Sequence, residues 1–393
     1  MDLPRLDDLD ITSGARVLVR VDFNVPIRDG EIEDDLRIST ALPTLDALRA
    51  RDAAVVVCGH LGRPKGAPDP QYSMAPVATR LGELLGCDVP LAPGVLGAAV
   101  ESVLASLGPG EVGMLENLRF EPGETKDAPG FAVSLCDTAD AYVNEAFGAS
   151  HRAHASIVGP PRVLPSAAGL LLQREVAVLS RLVDDPARPF VAVLGGAKVS
   201  DKLGVIEALL DRCDTILVGG AMAFTFEVAR GGSVGESLVE PDMVDTCRRL
   251  LDSGRVRIPT DVVVAEDITP DAPTQIVAAD RVPDGWKGLD VGPETTAAYA
   301  AAVAPAATLL WNGPMGVFEV APFAEGTRRL AEAVASCSGF TVVGGGESAA
   351  AIRQLGFADR VDHVSTGGGA SLEFIEQGDL PGLAALRASA SRG

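Results

Sequence analysis

Two lysines stand four residues apart just after a pair of glycines, in the segment Gly195-Gly-Ala-Lys-Val-Ser-Asp-Lys202. The apolar residues before the glycines predict a short buried strand, and Ser200 is a residue type that commonly caps a helix. Cations at the start of a helix oppose its macrodipole, which favours negative charge there. The conflict disappears when an anion binds to the free backbone N–H groups and both ammonium groups. The segment therefore predicts a phosphate site, although an ordinary turn with solvated lysines explains it equally well.

Three further glycine turns follow predicted strands in the second half of the chain. They comprise Gly219-Gly220, Gly344-Gly-Gly-Glu-Ser348 and Gly367-Gly-Gly369. Backbone N–H groups in the turn at 367–369 can approach a phosphate closely. Neither Gly-Lys-Ser nor Gly-Lys-Thr occurs in the chain, so none of these turns is a Walker A loop.

The turn at Gly344 also fits the dinucleotide-binding pattern GxGxxA, through Gly346 and Ala349. That pattern requires an acidic residue at the end of the next strand to bind the ribose. Asp362 instead stands at the beginning of the predicted strand. A nicotinamide-dependent dehydrogenase is therefore an alternative that rests on this one match and is disfavoured by the position of the acid.

Four strand-end loops in the first half of the chain supply cationic side chains. These are Arg37, His60 with Arg63, Arg119, and Arg152. Because the carboxyl ends of parallel strands lie at one edge of a sheet, four such positions predict a pocket for a small polyanion. His151 and His154 could belong to a metal site, but no carboxylate or thiol accompanies them at ligand spacing. A basic or solvated loop is the favoured interpretation.

The elements that must position these residues repeat one plan of strand, glycine turn and helix. Strands are predicted at 15–24, 53–58, 111–115, 140–144, 190–194, 214–218, 259–265, 308–311, 340–343 and 361–365. Helices are predicted at 36–51, 75–86, 95–107, 221–230, 241–253 and 293–304. The plan predicts an α/β fold with doubly wound parallel sheets. Asp22 and Asn24 would then lie together at the carboxyl end of the first strand, where turn chemistry alone is the alternative to a binding role.

The length of 393 residues exceeds one ordinary core and predicts two domains. Residues 169–184 form a long amphipathic stretch between two α/β blocks, which predicts either an interdomain helix or a core helix of one block. Hydrophobic residues make up 47% of the chain and aromatic residues only 4%. The core must therefore be aliphatic, as is typical of parallel strands buried under helices.

The net charge of −21 excludes a general binder of nucleic acid or of anionic membranes, so phosphate chemistry requires a local basic pocket. The six cysteines form no CxxC pair, and they are expected to be reduced thiols of a cytoplasmic protein. The acidic N-terminus lacks the apolar length of a signal peptide. The most apolar stretch, around 297–310, is interrupted by Pro305 and is shorter than the roughly 20 residues of a membrane span.

Five segments together resemble the phosphoglycerate kinase family, in order and over essentially the whole chain. They are Arg20-Val-Asp-Phe-Asn-Val-Pro26, Gly59-His-Leu-Gly-Arg-Pro-Lys-Gly66, Gly195-Gly-Ala-Lys-Val-Ser-Asp-Lys202, Trp311-Asn-Gly-Pro-Met-Gly-Val-Phe-Glu319 and Ser365-Thr-Gly-Gly-Gly-Ala370. The resemblance implies a two-domain, hinge-bending enzyme of glycolysis that transfers a phosphoryl group between 1,3-bisphosphoglycerate and ADP, giving 3-phosphoglycerate and ATP. It places the glycerate domain at 1–169, the hinge helix at 170–186, the nucleotide domain at 187–372 and a tail that returns to the first domain at 373–393.

The resemblance also implies the roles of individual residues. The glycerate substrate would be held by Asp22, Phe23, Asn24, Arg37, His60, Leu61, Gly62, Arg63, Arg119 and Arg152. The nucleotide would be held by Lys202, Gly219, Asn312, Glu319, Gly345, Gly346, Glu347 and Ser348. The transferring group would meet Lys198, Arg37, Gly367 and Gly368.

The family's cofactor is Mg²⁺ bound with ATP or ADP, and Glu347 stands where the family usually has an aspartate near that ion. Charge neutralisation, positioning and domain closure would carry the catalysis, since neither oxygen that exchanges the phosphoryl group needs much deprotonation. A monomer without nucleic-acid or membrane partners is expected. A non-catalytic relative that only binds nucleotide is the remaining alternative, which Lys198 disfavours because a binder could manage with Lys202.

Overall fold

The computed structural model describes residues 1–391, and their contacts divide the chain into two compact units. The first unit comprises Met1–Ala177 together with the C-terminal segment that begins at Asp379. The second unit is the continuous stretch Val178–Gly378. These two units are defined by their internal contacts. The functional domain boundaries at residues 169, 186 and 372 stay predictions. Within the described residues no helix is long and apolar enough to span a membrane.

The first unit is built on a parallel sheet of five strands. Its strands, with those of one small hairpin, are β1 (Arg16–Arg20), β2 (Ile27–Arg28), β3 (Glu31–Ile32), β4 (Ala54–Cys58), β5 (Val112–Met114), β6 (Ala141–Asn144) and β7 (Ser166–Ala168). Its helices are α1 (Leu36–Ser39), α2 (Leu42–Arg49), α3 (Ala75–Leu85), α4 (Ala98–Ala105), α5 (Pro129–Cys136) and α6 (Ala155–Val158). The order β5-β4-β1-β6-β7 places β1 at the centre, and β2 and β3 form a separate antiparallel pair. The four strand ends that carry predicted site residues therefore meet at one edge.

The faces of β1 follow the period of two that a strand imposes on its side chains. Val17, Val19 and Val21 belong to the main apolar cluster on one face. Leu18 and Arg20 point to the other face, and both are fully buried. An arginine is thus enclosed beneath the site edge of the sheet, where it needs partners.

The helix α7 (Leu170–Val183) crosses the division between the two units. Its first backbone N–H groups are bonded by side chains that lie far away in the sequence. Thr44 Oγ1 accepts from Leu170 N at 2.8 Å, and the buried carboxylate of Glu145 accepts from Leu171 N at 3.1 Å. Thr44 also donates its hydroxyl proton to Glu145. These contacts satisfy donors that the helix itself cannot pair.

The second unit contains a parallel sheet of six strands and smaller sheets beside it. Its strands are β8 (Phe190–Leu194), β9 (Thr215–Val218), β10 (Ser233–Val234), β11 (Val256–Arg257), β12 (Asp261–Ala265), β13 (Gln275–Ala278), β14 (Arg281–Val282), β15 (Lys287–Val291), β16 (Thr308–Asn312), β17 (Phe340–Gly344) and β18 (His363–Val364). Its helices are α8 (Leu203–Leu210), α9 (Met222–Arg230), α10 (Val244–Asp252), α11 (Pro293–Val303), α12 (Glu325–Ser336), α13 (Gly346–Gln354) and α14 (Gly369–Gln377). The large sheet has the order β11-β9-β8-β16-β17-β18. Two parallel sheets, one in each unit, confirm the predicted α/β class.

Two local predictions are wrong. The strand predicted at 259–265 exists as β12, but it pairs antiparallel with β13 and β15 in a separate sheet. Ser200 does not cap α8, because that helix begins at Leu203 with Lys202 in the capping position. The hydroxyl of Ser200 instead donates to Glu240, whose carboxylate also accepts from Val199 N at 2.6 Å. Local propensity could not reveal a partner forty residues away.

The last helix, α15 (Pro381–Ala390), belongs to the first unit. Gly382 N donates to Ser150 O at 2.9 Å, and Leu383 and Leu386 are completely buried. The C-terminal segment therefore packs beside the loop that carries Arg152.

Candidate active site

The site edge of the first unit begins with paired polar residues that follow β1. Asp22 accepts a hydrogen bond from the guanidinium of Arg37, which stands on α1. Asn24 Oδ1 accepts from Gly62 N at 2.8 Å, and this links the loop after β1 to the loop after β4. The predicted turn chemistry of Asp22 and Asn24 thus takes the form of contacts between loops.

Gly62 connects the second loop to Arg119. Its φ is +59°, and a Cβ there would lie 2.4 Å from the ring of Tyr72, so only glycine fits. Gly62 O accepts from Arg119 Nη1 at 2.6 Å. Arg119 is buried, and its Nε has no hydrogen-bond partner among the described protein atoms. A buried donor of this kind requires an explanation, and an anionic ligand is one.

The positive charge at this edge is crowded. Burial lowers the pKa of Arg119 to about 10, and repulsion from Arg152, Arg20 and Arg63 adds to the shift. Burial and the charges of Arg20, Arg119 and Arg152 hold the pKa of His60 well below its usual range. Cations that repel one another in a partly dry setting are stabilised when an anion binds among them. The first unit therefore presents an anion pocket.

His154 lies in the same environment. Burial and the charges of Arg20 and Arg119 lower the pKa of this imidazole to about 4. It is therefore neutral near pH 7, and its Nδ1 lies 3.8 Å from Glu124 Oε1. No group of three or more His, Cys, Asp or Glu side chains within residues 1–391 is arranged to hold a metal ion. The interpretation of 151–154 as a basic loop stays a prediction.

Not every predicted glycerate residue presents its side chain to this edge. The side chain of Phe23 is completely buried in the main apolar cluster, and that of Leu61 is nearly so. Only the backbone of these two residues is available to a ligand. Arg63 and Arg152 are exposed, and Arg152 Nε donates to His151 Nε2 at 3.1 Å.

Sequence reasoning missed a buried layer of polar residues beneath the pocket. It consists of Arg20, Glu124 and Ser156, all of which are completely buried. Arg20 is a charged residue at the end of an otherwise apolar strand segment. This contrast in the sequence could have indicated a buried arginine with polar partners. The partners on other elements could not be read from the sequence around it.

The site edge of the second unit is organised around Lys202 and Asn312. Lys202 Nζ donates to Asn312 O at 3.2 Å and also to Asn312 Oδ1. Burial lowers the pKa of Lys202 to about 8, and the carboxylates of Glu347 and Asp201 oppose that shift. This ammonium is therefore held at the end of β16 instead of being solvated.

The turn after β17 packs against the same asparagine. Asn312 Nδ2 donates to Gly344 O at 2.8 Å, and Ser348 Oγ accepts from Gly313 N at 3.2 Å. Gly345 has φ +91°, and a Cβ there would lie 2.6 Å from Asn312 Nδ2. The tight approach leaves Gly346 and Glu347 exposed in the first turn of α13, whose backbone N–H groups favour an anion.

A cavity of about 420 Å³ opens beside these turns. Its volume lies within the range of roughly 300–1,000 Å³ that is typical of small-molecule sites. Apolar and glycine residues form much of its wall, together with four acidic side chains. Its lining includes Gly196, Gly220, Leu289, Pro314, Glu319 and Glu347. The predicted Gly219 immediately precedes Gly220, with its N–H bonded to Leu194 O at 2.9 Å.

The remaining predicted residues occupy two other turns of the second unit. Lys198 is exposed between β8 and α8, several residues before the helix starts. Its ammonium therefore does not oppose the helix dipole as predicted, because the helix begins later than Ser200. Gly368 precedes the first residue of α14 with φ +54°, and Gly367 N donates to Ser365 Oγ at 3.1 Å.

The donor set of the second unit fits Mg²⁺ bound together with phosphate. Mg²⁺ usually keeps several waters and takes one or two protein carboxylates plus substrate phosphates. Glu347 offers one exposed carboxylate next to a helix N-terminus and near the charge of Lys202. A closed cage of protein ligands is therefore not required.

The alternative dinucleotide interpretation is not supported at Asp362. Its carboxylate accepts from Thr341 N at 2.8 Å and from Thr341 Oγ1 at 2.9 Å. These contacts join the starts of β17 and β18, at the end of the strands remote from the glycine turns. The carboxylate of Asp362 is thus hydrogen-bonded between two strands at the opposite edge of the sheet. It cannot bind a ribose at the site edge.

Comparison with known proteins agrees on one family. The family model described as phosphoglycerate kinase matches residues 6–378. A phosphoglycerate kinase of Frankia alni is 57% identical over 396 residues, covering 97% of this chain and 99% of its own. The solved phosphoglycerate kinase from Coxiella burnetii has a TM-score of 0.87 at 38% identity, covering 98% of this chain and 99% of its own. That from Pyrococcus horikoshii OT3 has a TM-score of 0.89 at 33% identity, with all of both chains covered.

Proposed function

The chain belongs to the phosphoglycerate kinase family, and on that premise we propose how its residues divide the work of the reaction. Its function is that of a phosphoglycerate kinase in glycolysis. Such an enzyme transfers one phosphoryl group reversibly from 1,3-bisphosphoglycerate to ADP, giving 3-phosphoglycerate and ATP. Both substrates are multiply charged anions, so the two site edges must each recognise negative charge.

The first unit binds the glycerate substrate. The observation that carries this assignment is the crowded positive charge around Arg119, whose buried Nε lacks a protein partner. A phosphate and a carboxylate at opposite ends of a small molecule would pair with several arginines at once. The proposed ligands are Asp22, Phe23, Asn24, Arg37, His60, Leu61, Gly62, Arg63, Arg119 and Arg152, with Phe23 and Leu61 acting through their backbone.

The second unit binds the nucleotide in the cavity beside β8, β9 and β16. Its phosphates would lie at Lys202, Asn312 and the first turn of α13, where backbone N–H groups and an ammonium meet. Glu319 would accept hydrogen bonds from the ribose hydroxyls. The other proposed contacts are Gly219, Gly345, Gly346, Glu347 and Ser348.

Catalysis rests on positioning and charge neutralisation. Lys198, Arg37, Gly367 and Gly368 would meet the phosphoryl group as it moves between two oxygens. Charge spreads over the oxygens of that group in the transition state, where cations and backbone N–H groups stabilise it. Neither oxygen must lose a proton, so no general base is assigned.

Glu347 is the residue proposed to hold Mg²⁺, directly or through water, together with the nucleotide phosphates. The bound ion would neutralise part of the phosphate charge. Action in the cytoplasm, a monomeric state and closure of the domains during turnover stay predictions.

A coupled assay with ATP and 3-phosphoglycerate tests the activity directly. We expect ATP-dependent formation of the acyl phosphate 1,3-bisphosphoglycerate. The protein itself should reduce no nicotinamide cofactor, in contrast to a dehydrogenase. Binding of nucleotide without turnover would instead indicate a non-catalytic relative.

Arginine variants test the assignment of the glycerate pocket. Arg37→Ala and Arg152→Ala should each raise the KM for 3-phosphoglycerate about tenfold or more, since a hydrogen bond to a charged group contributes about 1.5–3 kcal/mol. The KM for ATP should change little. Arg16→Ala is the matched control, because Arg16 lies at the amino end of β1 and pairs with Glu101 at 3.3 Å. Equal losses for both substrates would contradict a glycerate pocket in the first unit.

A further inference from the structure

Arg20 and His60 share the face of the sheet that lies away from the main apolar cluster. Residues 17 and 19 of β1 contribute to that cluster, as do residues 55 and 57 of β4. Alternation therefore sends Arg20 to the opposite face, and His60, which follows β4, lies there beside it. Tyr142 on β6 lies there too, and its hydroxyl donates to Ser156 O at 2.8 Å.

Arg20 is held there by a set of hydrogen bonds. Its Nε donates to Ser156 Oγ at 2.8 Å, and its Nη1 donates to Val21 O. Ser156 Oγ in turn donates to Glu124 Oε1 at 2.7 Å, while Ser156 N donates to Glu124 Oε2 at 2.9 Å. Glu124 Oε1 lies 3.8 Å from Arg20 Nη2 and supplies the opposite charge. The guanidinium is thus oriented on one side by an anchored carboxylate.

The free end of that guanidinium faces His60. Arg20 Nη2 lies 3.3 Å from His60 Nδ1, and His60 is only 6% exposed. A guanidinium has donors and no acceptor, whereas a neutral imidazole has one nitrogen of each kind. His60 Nδ1 must therefore be the acceptor, which leaves the proton on Nε2.

We propose that Arg20, anchored by Glu124 and Ser156, fixes His60 in the tautomer that carries its proton on Nε2, and so makes this ring a dedicated donor to the anionic substrate. Arg20, Glu124 and Ser156 are positioning residues, because all three are completely buried and act through His60. The proposal rests on the assignment of the glycerate pocket to the first unit.

The arrangement solves a specific problem of anion binding. A neutral imidazole in the other tautomer would present a lone pair to a carboxylate or phosphate, and both would then be acceptors. The groups that face His60 also keep it from taking a second proton. Burial and the charges of Arg20, Arg119 and Arg152, with His154 nearby, lower its pKa, and the carboxylate of Glu124 lies 3.8 Å from Arg20 Nη2.

Nitrogen-15 spectra of the imidazole rings of the wild-type protein test the tautomer. The chain contains four histidines, so His60→Gln is sufficient to assign the signal of His60. One tautomer with an unprotonated Nδ1 is expected at every pH from about 8 to about 6.5, the usual pKa of a histidine, because burial and neighbouring cations hold the pKa of this ring well below that value. A proton on Nδ1, or a doubly protonated ring in that interval, would overturn the proposal.

A double variant tests the role of Arg20 itself. Arg20→Met with Glu124→Leu removes both buried charges together, which is tolerated better than the removal of one partner. His60 should then lose its single tautomer and titrate at a higher pH than in the wild type. The KM for 3-phosphoglycerate should rise roughly tenfold, the size expected for one charge-assisted hydrogen bond, with little change in the KM for ATP. An unchanged His60 spectrum in the folded variant would contradict the proposal.

Arg20→Lys provides the conservative rescue. Lysine keeps the charge and offers donors only, so the Nε2–H tautomer should persist in this variant. If the double variant does not fold, the wild-type and Arg20→Lys spectra decide the question without it. The proposed function is tested by a separate result. If it is wrong, the wild-type protein will show the expected tautomer of His60 but no turnover that depends on 3-phosphoglycerate.

Discussion

At the scale of single residues, the two lysines of the segment 195–202 occupy different surroundings. Lys198 is exposed on a turn, whereas Lys202 is half-buried and donates to Asn312. The difference supports separate roles in transfer and in nucleotide binding.

Alanine variants of the two lysines should have opposite kinetic signatures. Lys198→Ala should lower kcat by about a hundredfold or more and leave both KM values nearly unchanged, because an interaction made in the transition state is lost. Lys202→Ala should chiefly raise the KM for ATP. Steady-state kinetics with each substrate varied in turn checks both, and identical profiles would contradict the division of roles.

The pH dependence of the ATP KM provides a second test of Lys202. Its pKa is lowered to about 8 by burial, so the free enzyme loses this charge as the pH rises through that value. The KM for ATP should therefore increase above pH 8 in the wild type. The increase should be absent from Lys202→Ala, where no ammonium remains to titrate. A variant with the same rise would assign the titration to another group.

The role of Glu347 can be tested through the dependence of the reaction rate on Mg²⁺ concentration. If its carboxylate helps to hold the ion, Glu347→Ala should raise the Mg²⁺ concentration for half-maximal rate and lower kcat, while Glu347→Asp should stay active. If the residue only complements the dipole of α13, its loss should cost about 0.3–1 kcal/mol of stability and leave the Mg²⁺ curve unchanged. A titration of rate against Mg²⁺ for both variants separates these outcomes.

At the scale of elements, the helix α7 shows how remote side chains complete a helix end. Thr44 and Glu145 come from α2 and from the loop after β6, yet they bond the first N–H groups of α7. Gly169 allows the approach, since a Cβ there would lie 1.9 Å from Glu145 Oε2. The start of this helix is therefore built by the first unit.

The carboxyl of Glu145 should make stability depend on pH. Burial raises its pKa from 4.5 to about 8 in the folded protein, against opposing hydrogen bonds from Thr44, Leu171 and Leu172. The unfolded chain then releases its proton at lower pH than the native state. Its contribution to stability is accordingly full below about pH 4.5 and is lost as the pH rises through 8.

Glu145→Gln is the matched variant, because it keeps the shape and removes the titration. Denaturant unfolding should be measured for both proteins at several pH values between 4.5 and 8. The unfolding free energy of the wild type should fall relative to that of the variant as the pH rises. A flat or rising difference would show that Glu145 is ionised in the native protein throughout.

The parts of the molecule that the sequence could predict are those governed by local periodicity. The strands at β1, β4, β8 and β16 follow from short apolar runs, and the site edges follow from the topology of parallel sheets. The antiparallel sheet around β12 was missed, because an apolar run alone does not reveal the direction of its partner. The partners of Ser200 and Arg20 were missed since they come from distant elements.

At the scale of the whole molecule, the chain leaves the first unit at residue 177 and re-enters it at residue 379. The returning helix α15 contributes Leu383 and Leu386 to a buried surface beside α6. Gly382 contacts Ser150 in the loop that also carries Arg152. The last turns of the chain therefore support a loop proposed to bind substrate.

Truncation of a buried leucine in α15 should destabilise the first unit. Leu383→Ala should cost about 2–5 kcal/mol, the usual range for a buried leucine, and lower the thermal midpoint. Ala384→Ser, at the exposed neighbouring position, is the control and should change the midpoint little. Differential scanning calorimetry of the three proteins checks this. Equal midpoints would show that α15 adds nothing to the first unit.

The path of the chain also sets an order for synthesis on the ribosome. The second unit is continuous, so every residue of its sheet has been made before the segment from Asp379 emerges. The first unit, although its translation begins earlier, lacks α15 until that later segment is available. Domains usually fold in the order in which they are translated. In this chain the unit that is translated first is completed last, and nascent chains that end before residue 379 should display a protease-sensitive first unit beside a finished second one.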